Sequence, residues 1–385
     1  MKILFLTPWY PDEANPNHGV FVRDQVLALS REHTVWVVSS KIDYHVFGLS
    51  SLRIEETQYF DVRETRIIVR KSLPVFNQFN FFVRIIIQTL RIARKLRPDI
   101  VHGNIGYPGG FWSWAVSRLI GVPFVLTEHT RIINNFRSSI HKKLTLFSLG
   151  RATGIMAVSN AHAEEIKKYV GSSPVVIPNI VNLSRFNKVH EFPDSNTIHF
   201  GFLGGLNTNV KGLDLLLQAV ASLKFDFVLH IGGDGRLLEE YKQMARDFAI
   251  DGKCVFYGFI SFIDVPLFMG RLHFFISTSR YESFGLSIVE AMACGLPVVV
   301  TDSGGPNDYI TSESGIIATN GNVGEIAKSI SQMVSTFQTY NRELIRGFVI
   351  EKFSEDSFLR QINAFYKHVL LSDVTQQNIF PADNR

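Results

Sequence analysis

Apolar residues in the first half of the chain fall into short, β-branched runs separated by longer stretches with helical spacing. The runs Ile3–Thr7, Thr34–Val38, Arg66–Arg70, Ile100–Gly103, Pro123–Thr127, Gly154–Val158 and Pro174–Ile177 read as strands. The stretches near Val20–Arg31, Phe79–Leu96, Gly109–Leu119, Ile140–Leu149 and Asn160–Tyr169 read as helices. Strands that alternate with helices and are apolar throughout predict a parallel sheet, covered on both faces and joined by right-handed crossovers. A Rossmann-like layer is the simplest result.

After Pro178-Asn179 the pattern breaks. Residues 187–196 are polar and without period, carrying Lys188, His190, Glu191, Pro193 and Asp194, as expected of an interdomain linker. A second strand–helix series follows, with strands at Ile198–Leu203, Phe227–Ile231, Val255–Gly258, Phe274–Ser277, Pro297–Thr301 and Gly315–Ala318. The closing segment Ser354–Leu371 places Phe358, Leu359, Ile362, Phe365, Tyr366, Val369 and Leu370 at helical spacing, a terminal helix with one buried face. The expectation is an α/β protein of two Rossmann-like domains facing across a cleft, where strand ends and helix N-termini from both sides suit a phosphorylated ligand.

Composition narrows the picture without changing it. A chain of 385 residues, 46% hydrophobic and 19% charged, has the material for two sizeable cores and is not generally disordered. The two cysteines, Cys254 and Cys294, form no C-x-x-C pair, which argues for a reducing compartment, taken as the cytoplasm, and against structural zinc. The apolar run before Pro8 is too short for a signal-peptide core, and the uncharged run Ile100–Ser117 is interrupted by His102, Asn104 and Pro108, so no membrane span is expected. A net charge of +4 gives no argument for nucleic acid. The positive charge is nonetheless uneven: Arg84, Arg91, Arg94, Lys95 and Arg97 form one group, and Arg131, Arg137, Lys142 and Lys143 another.

The chemistry concentrates in one string, Arg280-Tyr-Glu282-Ser-Phe284-Gly285-Leu286-Ser-Ile-Val-Glu290-Ala-Met-Ala-Cys-Gly295-Leu-Pro297. A strand ends, a loop carries Glu282, Gly285 permits close backbone approach, and a helix starts near Leu286. Its unpaired N–H groups and positive dipole end favour a pyrophosphate. Glu290, about one turn into that helix, suits a ribose diol, and Glu282 suits the donor sugar. A lone glutamate at either place would more often be a solvated charge, but the whole string argues against that. It resembles the two-glutamate motif of retaining family-4 glycosyltransferases of the GT-B fold, and the match continues through Pro297-Val-Val-Val-Thr-Asp302-Ser-Gly304-Gly305-Pro-Asn-Asp308. In that family the last position is commonly Glu, and here it is the shorter Asp308.

Upstream, Phe202-Leu-Gly204-Gly205-Leu-Asn-Thr-Asn-Val-Lys211-Gly212 reads as a strand, a glycine-containing loop and a helix start. Lys211 is placed to neutralise a donor phosphate that the glycine backbone approaches closely. The resemblance implies an Arg after the first glycine, where Gly205 stands, so one phosphate cation is displaced from its expected place and Arg280 or Asn209 is the candidate to compensate. Ile231-Gly-Gly-Asp-Gly235 lacks the third glycine of a dinucleotide fingerprint and reads as a tight turn.

In the first half the resemblance is thinner. His18-Gly19-Val-Phe-Val-Arg23-Asp24-Gln25 is similar to the glycine loop and first helix that approach the donor phosphates and acceptor, and His102, Thr127-Glu-His129, Val158-Ser159 and Pro178-Asn179 follow in family order. A lone strand-end His is more often structural, but the resemblance implies that His129 hydrogen-bonds the transferred sugar. The catalytic candidates are therefore Glu282, His129 and Lys211. The donor-binding candidates are Gly19, Gly204, Gly205, Lys211, Arg280, Phe284, Gly285, Leu286 and Glu290. No D-x-D pair occurs in the chain, so the expectation is metal-independent transfer without a cofactor, the diphosphate being stabilised by helix ends and Lys211.

The resemblance implies domains at 1–180, binding acceptor, and 197–353, binding donor, with helix 354–371 packing back onto the first. It implies retention of anomeric configuration in transfer from a nucleotide sugar to a glycan or lipid-linked acceptor of polysaccharide or glycoconjugate biosynthesis; UDP or GDP is the expected nucleotide on general frequency alone. Phe76, Phe79, Phe81 and Phe82, followed by an arginine-rich helix, form a candidate peripheral membrane face, against the plainer reading of core aromatics beside solvated arginines. Two further readings stay open at this point: a nucleotide-sugar epimerase of similar fold, which needs no acceptor, and a degenerate sugar- or nucleotide-binding subunit, to which Gly205 lends weight.

Overall fold

The computed structural model describes residues 1–43, 52–70, 77–132, 138–186 and 197–379. The polar stretch 187–196, together with Phe76 and Arg137, lies outside the described residues. The chain divides into two compact units, Met1–Pro178 with Glu355–Arg385, and Asn179–Ser354.

The first unit contains strands β1 (Lys2–Thr7), β2 (Thr34–Asp43), β3 (Leu52–Tyr59), β4 (Val62–Arg70), β5 (Ile100–Asn104), β6 (Phe124–Thr127), β7 (Gly154–Ala157) and β8 (Val175–Val176). Its sheet runs in the order β3-β4-β2-β1-β5-β6-β7-β8. Helices α1 (Val20–Ser30), α2 (Asn77–Leu96), α3 (Phe111–Ile120), α4 (Ser139–Arg151) and α5 (Asn160–Val170) connect and cover it. Ser138 and Ser159 cap α4 and α5 by accepting the backbone N–H groups of His141 and His162.

The expected all-parallel sheet needs one correction: β3 pairs antiparallel with β4. β3 carries Arg53, Glu55 and Glu56 on an edge, and charges of this kind blunt an edge strand against further pairing. Its apolar content is too low to announce a strand. The turn Phe60-Asp61 also lacks a glycine or asparagine signal, although Phe60 takes a left-handed φ of 48°.

The second unit contains β9 (Ile198–Leu203), β10 (Phe227–Gly232), β11 (Cys254–Gly258), β12 (Phe274–Ser277), β13 (Val298–Thr301) and β14 (Gly315–Ala318), with helices α6 (Leu213–Ala221), α7 (Leu238–Asp247), α8 (Val265–Met269), α9 (Leu286–Ala293), α10 (Val323–Thr336) and α11 (Arg342–Phe353). Its strands are parallel in the order β11-β10-β9-β12-β13-β14. That is the doubly wound order, whose direction reverses between β9 and β12, and ligands of such sheets bind outside the carboxyl ends at that reversal. Phe200 and Phe274, stacked with centroids 5.0 Å apart, fix those two strands in a core with Leu216, Leu229, Ile276 and Met333.

The final helix, α12 (Glu355–Ile379), runs beyond Leu371 and belongs to the first unit. Ile362, Phe365, Tyr366 and Val369 are buried on it. A Cβ on Gly154 would lie 2.7 Å from the Phe365 ring, so the helix docks where β7 has no side chain. The Tyr366 hydroxyl meets His102 Nδ1 at 2.5 Å, while His102 Nε2 meets Thr127 Oγ1 at 2.7 Å. His102 is thus enclosed between β5, β6 and α12, and burial pushes its pKa down to about 3. Among the described residues no helix is long and apolar enough to cross a membrane.

Candidate active site

The carboxyl ends of β9 and β12 are stitched together by backbone. After β9 the chain runs through Gly204 and Gly205 into a short turn, Asn209–Lys211, whose start is capped by Thr208, and then into α6. The Arg280 N–H donates to Val210 O at 2.8 Å, and Thr278 Oγ1 donates to Gly212 O at 2.8 Å. Gly212 has φ +70°, and a Cβ there would sit 1.9 Å from Thr278 O, so no other residue permits this approach.

That junction sets Lys211 Nζ 2.7 Å from Glu282 Oε1. Ser279 Oγ donates to the same carboxylate oxygen at 2.7 Å. The Glu282 backbone is held as firmly: its N–H donates to Ser303 O at 2.9 Å and its carbonyl accepts from Gly305 N–H at 2.8 Å. Asn320 Nδ2 donates to Arg280 O and Asp302 O, both at 2.9 Å, which ties in the loop after β14. Four strand ends therefore converge on one glutamate. The Glu282 side chain is 8% exposed and Lys211 31% exposed, so the lysine is the more accessible partner of the pair.

Arg280 does something different from what its place in the string suggests. Its guanidinium forms a forked pair with Asp214 at 2.8 and 2.6 Å and donates to Asn209 O at 2.6 Å. The hydrogen bonds to Asp214 raise its pKa. In this position Arg280 braces the turn that carries Lys211 against the start of α6. Gly204 lies against Lys211, with a Cβ there 3.2 Å from Lys211 Cγ; Gly205 is exposed, with nothing within 4 Å of a Cβ. The absent arginine is therefore not sterically excluded.

Phe284 is buried against Tyr309 and Phe353, at centroid distances of 5.7 and 5.3 Å, and its carbonyl accepts from Tyr309 Oη at 2.7 Å. This anchor fixes the chain immediately before Gly285, from which α9 begins at a half-exposed Leu286. Glu290 is buried on α9 and neighbours Cys294, whose thiol is pushed up to about 12 by burial and then by the Glu290 charge.

Gly19 and His129, the remaining candidates, stand in the first unit. Gly19 starts α1 at φ +73°, where a Cβ would come within 2.6 Å of the Trp9 carbonyl. His129 follows β6, with Nε2 2.7 Å from Asn104 Oδ1 at the end of β5 and its ring 4.8 Å from Phe21 of α1. With the amide oxygen accepting, the imidazole carries its proton on Nε2.

Several supporting residues were not foreseen. Glu128 is fully buried: Oε1 accepts from His129 N–H, Thr130 N–H and Thr130 Oγ1, at 3.0, 3.0 and 2.8 Å, and Oε2 accepts from Gly106 N–H at 2.7 Å. It shapes the turn that presents His129. Ser279, Asp214, Asn320 and Asn104 act in the same supporting way. Glu128 lies inside the quoted Thr127-Glu-His129 run, and Ser279, Asp214 and Asn104 lie within two residues of quoted motif residues, which is the signal that could have found them.

Two family models match these units. "Glycosyltransferase Family 4" matches residues 18–185 and "Glycosyl transferases group 1" matches residues 185–342. The chain belongs to the glycosyltransferases of family 4 and group 1. Among its relatives, the Bacillus subtilis glycosyltransferase TuaC, named for teichuronic acid biosynthesis, is 26% identical over 86% of this chain and 89% of its own. The alpha-monoglucosyldiacylglycerol synthase of Streptococcus pneumoniae is 24% identical over 89% of this chain and 82% of its own. The fold is that of solved GT-B glycosyltransferases. Sucrose-phosphate synthase from Thermosynechococcus elongatus superposes with a TM-score of 0.77 at 17% identity, covering 97% of this chain and 100% of that one. Anabaena Alr3699/HepE, solved with UDP, gives 0.74 at 19% identity over 96% and 100%.

Proposed function

We propose that this glycosyltransferase takes a sugar from a uridine diphosphate donor, held by the second unit, and passes it with retained configuration to a glycan or lipid-linked acceptor on the first. The observation that carries this reading is the Lys211–Glu282 pair at the strand-order reversal. A donor diphosphate placed there draws the exposed lysine to itself, while Ser279 keeps Glu282 oriented toward the sugar. Glu290, buried on α9, takes the ribose diol. Lys211 and the N-terminal end of α9 supply the positive charge that the leaving group needs, which makes a divalent ion unnecessary. HepE, solved with UDP, supports uridine over guanosine as the base.

In the reaction the acceptor oxygen bonds to the anomeric carbon on the face from which the nucleoside diphosphate departs with the bonding electron pair. The acceptor proton passes to a phosphate oxygen of that leaving group, and His129 hydrogen-bonds the transferred sugar. NMR of the first-formed product in EDTA is the test. We expect the donor's anomeric configuration at an undiminished rate; an inverted anomer or loss of turnover in EDTA contradicts the reading.

Membrane contact is the finer part of this proposal. The aromatic group divides: Phe81 is buried in the core, Phe82 packs 5.7 Å from Tyr107 and 5.3 Å from Phe111, and Phe79 is 73% exposed. Phe79, Val83 and Ile87 form an exposed apolar stripe on α2, ahead of exposed Arg91, Arg94 and Lys95. That combination suits an anionic bilayer. Co-sedimentation with anionic vesicles, abolished by reversing these three charges, supports it, and binding that is absent or indifferent to the reversal refutes it.

A further inference from the structure

A cavity of about 270 Å³ opens in the first unit, lined by Tyr10, Asp12 and Asn15 after β1, by Ser39 and Lys41 of β2, and by Arg66 of β4. Its size falls just below the roughly 300–1,000 Å³ of sites for drug-sized molecules, which suits a single ring. The motif residues of the second unit play no part in it.

Its charges cancel locally. Lys41 Nζ lies 2.6 Å from Asp12 Oδ2, and Arg66 Nη2 lies 2.7 Å from Glu64 Oε1 and donates to Pro11 O at 2.6 Å. Burial alone would raise the pKa of Asp12, yet the Lys41 hydrogen bond and the Asn15 N–H bring it below its usual value, so it accepts as a carboxylate. His18, at the rim, is held below its ordinary pKa by burial and adds no positive charge at neutral pH. With Lys41 and Arg66 each already paired to a carboxylate, an anion gains less here than at an unpaired cation. A polyol would meet fixed donors and acceptors on several sides, with the Tyr10 ring among them.

A second observation points to a ligand. Ser39 is 4% exposed, and its Oγ is buried without a hydrogen-bond partner, on the wall of this cavity. A buried hydroxyl left unpaired is costly, and a rotamer change that turns Ser39 Oγ into the cavity lets a ligand hydroxyl pair it. A chain of ring contacts links the cavity to His129: His18 lies 5.8 Å from Trp9, Trp9 6.3 Å from Phe21, and Phe21 4.8 Å from His129.

We propose that this cavity seats one uncharged sugar ring of the acceptor, with Asp12, Ser39 and Lys41 hydrogen-bonding its hydroxyls. The assignment rests on the glycosyltransferase reading above and adds the acceptor class to it. Saturation-transfer NMR on the full chain with UDP present tests it. The probes are neutral methyl glycosides of glucose, galactose, mannose and N-acetylglucosamine, set against methyl glucuronide and glycerol 3-phosphate. At least one neutral glycoside binds the wild type, and Asp12→Asn and Ser39→Ala each weaken that binding at least tenfold while the anionic probes give no signal. Binding of only an anionic probe, lost in Lys41→Met, overturns the proposal in favour of an anion site. Neutral binding unchanged in both variants, or no probe bound, overturns it as well. The thermal shift produced by UDP, measured on the same proteins, keeps the two claims apart. A preserved shift with a failed cavity sinks only this inference, whereas no shift in the wild type sinks the donor reading.

Discussion

The second unit holds its candidate site groups in backbone, and the first holds them in side chains. Around Glu282 the N–H and C=O groups of Val210, Ser303 and Gly305 fix the loops, and glycines allow strand ends to approach within contact distance. Around His129 the positioning falls to Asn104, Phe21 and the buried Glu128. Backbone cages demand particular residues at particular spacings, whereas side-chain networks can be rebuilt from many. A site shared by diverse donors with one diphosphate suits the first construction, and a site facing varied acceptors suits the second.

The contrast breaks most directly at Lys211. Lys211→Ala should lower kcat/KM by about 10²–10³, the loss seen when one preorganised charge-stabilising donor is removed. Steady-state kinetics checks this, and a loss under tenfold would mean that the leaving group is stabilised elsewhere. Next comes Arg280, which acts through the turn it braces. Arg280→Lys and Asp214→Asn should each cost roughly tenfold in donor affinity, and the double variant little more than either alone, because both remove one forked pair. Additive losses would show that Arg280 touches the donor itself.

Gly205→Arg probes the same unit in the opposite direction. The space beyond Gly205 is open, so an arginine there should raise affinity for UDP several-fold by adding a phosphate cation. Unchanged affinity measured by titration calorimetry would place the diphosphate away from Gly205. The smallest effect concerns the first unit's neutral core. His102 titrates near 6.5 when unfolded and at about 3 when folded, so below pH 6.5 the unfolded chain binds more protons. The stability that the neutral imidazole contributes is complete above that value and is lost progressively toward pH 3. Denaturant midpoints of His102→Gln should fall less steeply with acid than those of wild type. The difference isolates His102 from His230, which burial lowers to about 4 in the second unit.

The same contrast decides how much could be read beforehand. Strands β9, β12, β13 and β14 announce themselves as apolar runs, and the loops after them carry the glutamates, the lysine and the glycines in recognisable order, so this side of the molecule was largely readable. Asp214 stands 66 positions from Arg280, and no local pattern reveals that they pair. Strand β3 hides because an exposed edge has little apolar content and its turn uses Phe60 where a glycine would signal. The cavity at Ser39 draws on β1, β2 and β4, elements that meet only in the folded sheet. On α2 the periodicity was plain, yet which aromatic faced the core was not, because Phe79, Phe81 and Phe82 occupy three different faces of one turn.

The central claim is that Lys211 and the strand ends around Glu282 form a nucleoside diphosphate site. Thermal unfolding of the wild type with UDP or GDP in EDTA, beside Lys211→Ala and Glu290→Ala, tests it most directly, since a ligand that binds only the folded state raises the midpoint by mass action. The account predicts a clear rise with UDP, little with GDP, and loss of the rise in both variants. A rise of equal size in Lys211→Ala, or none in the wild type, would contradict it.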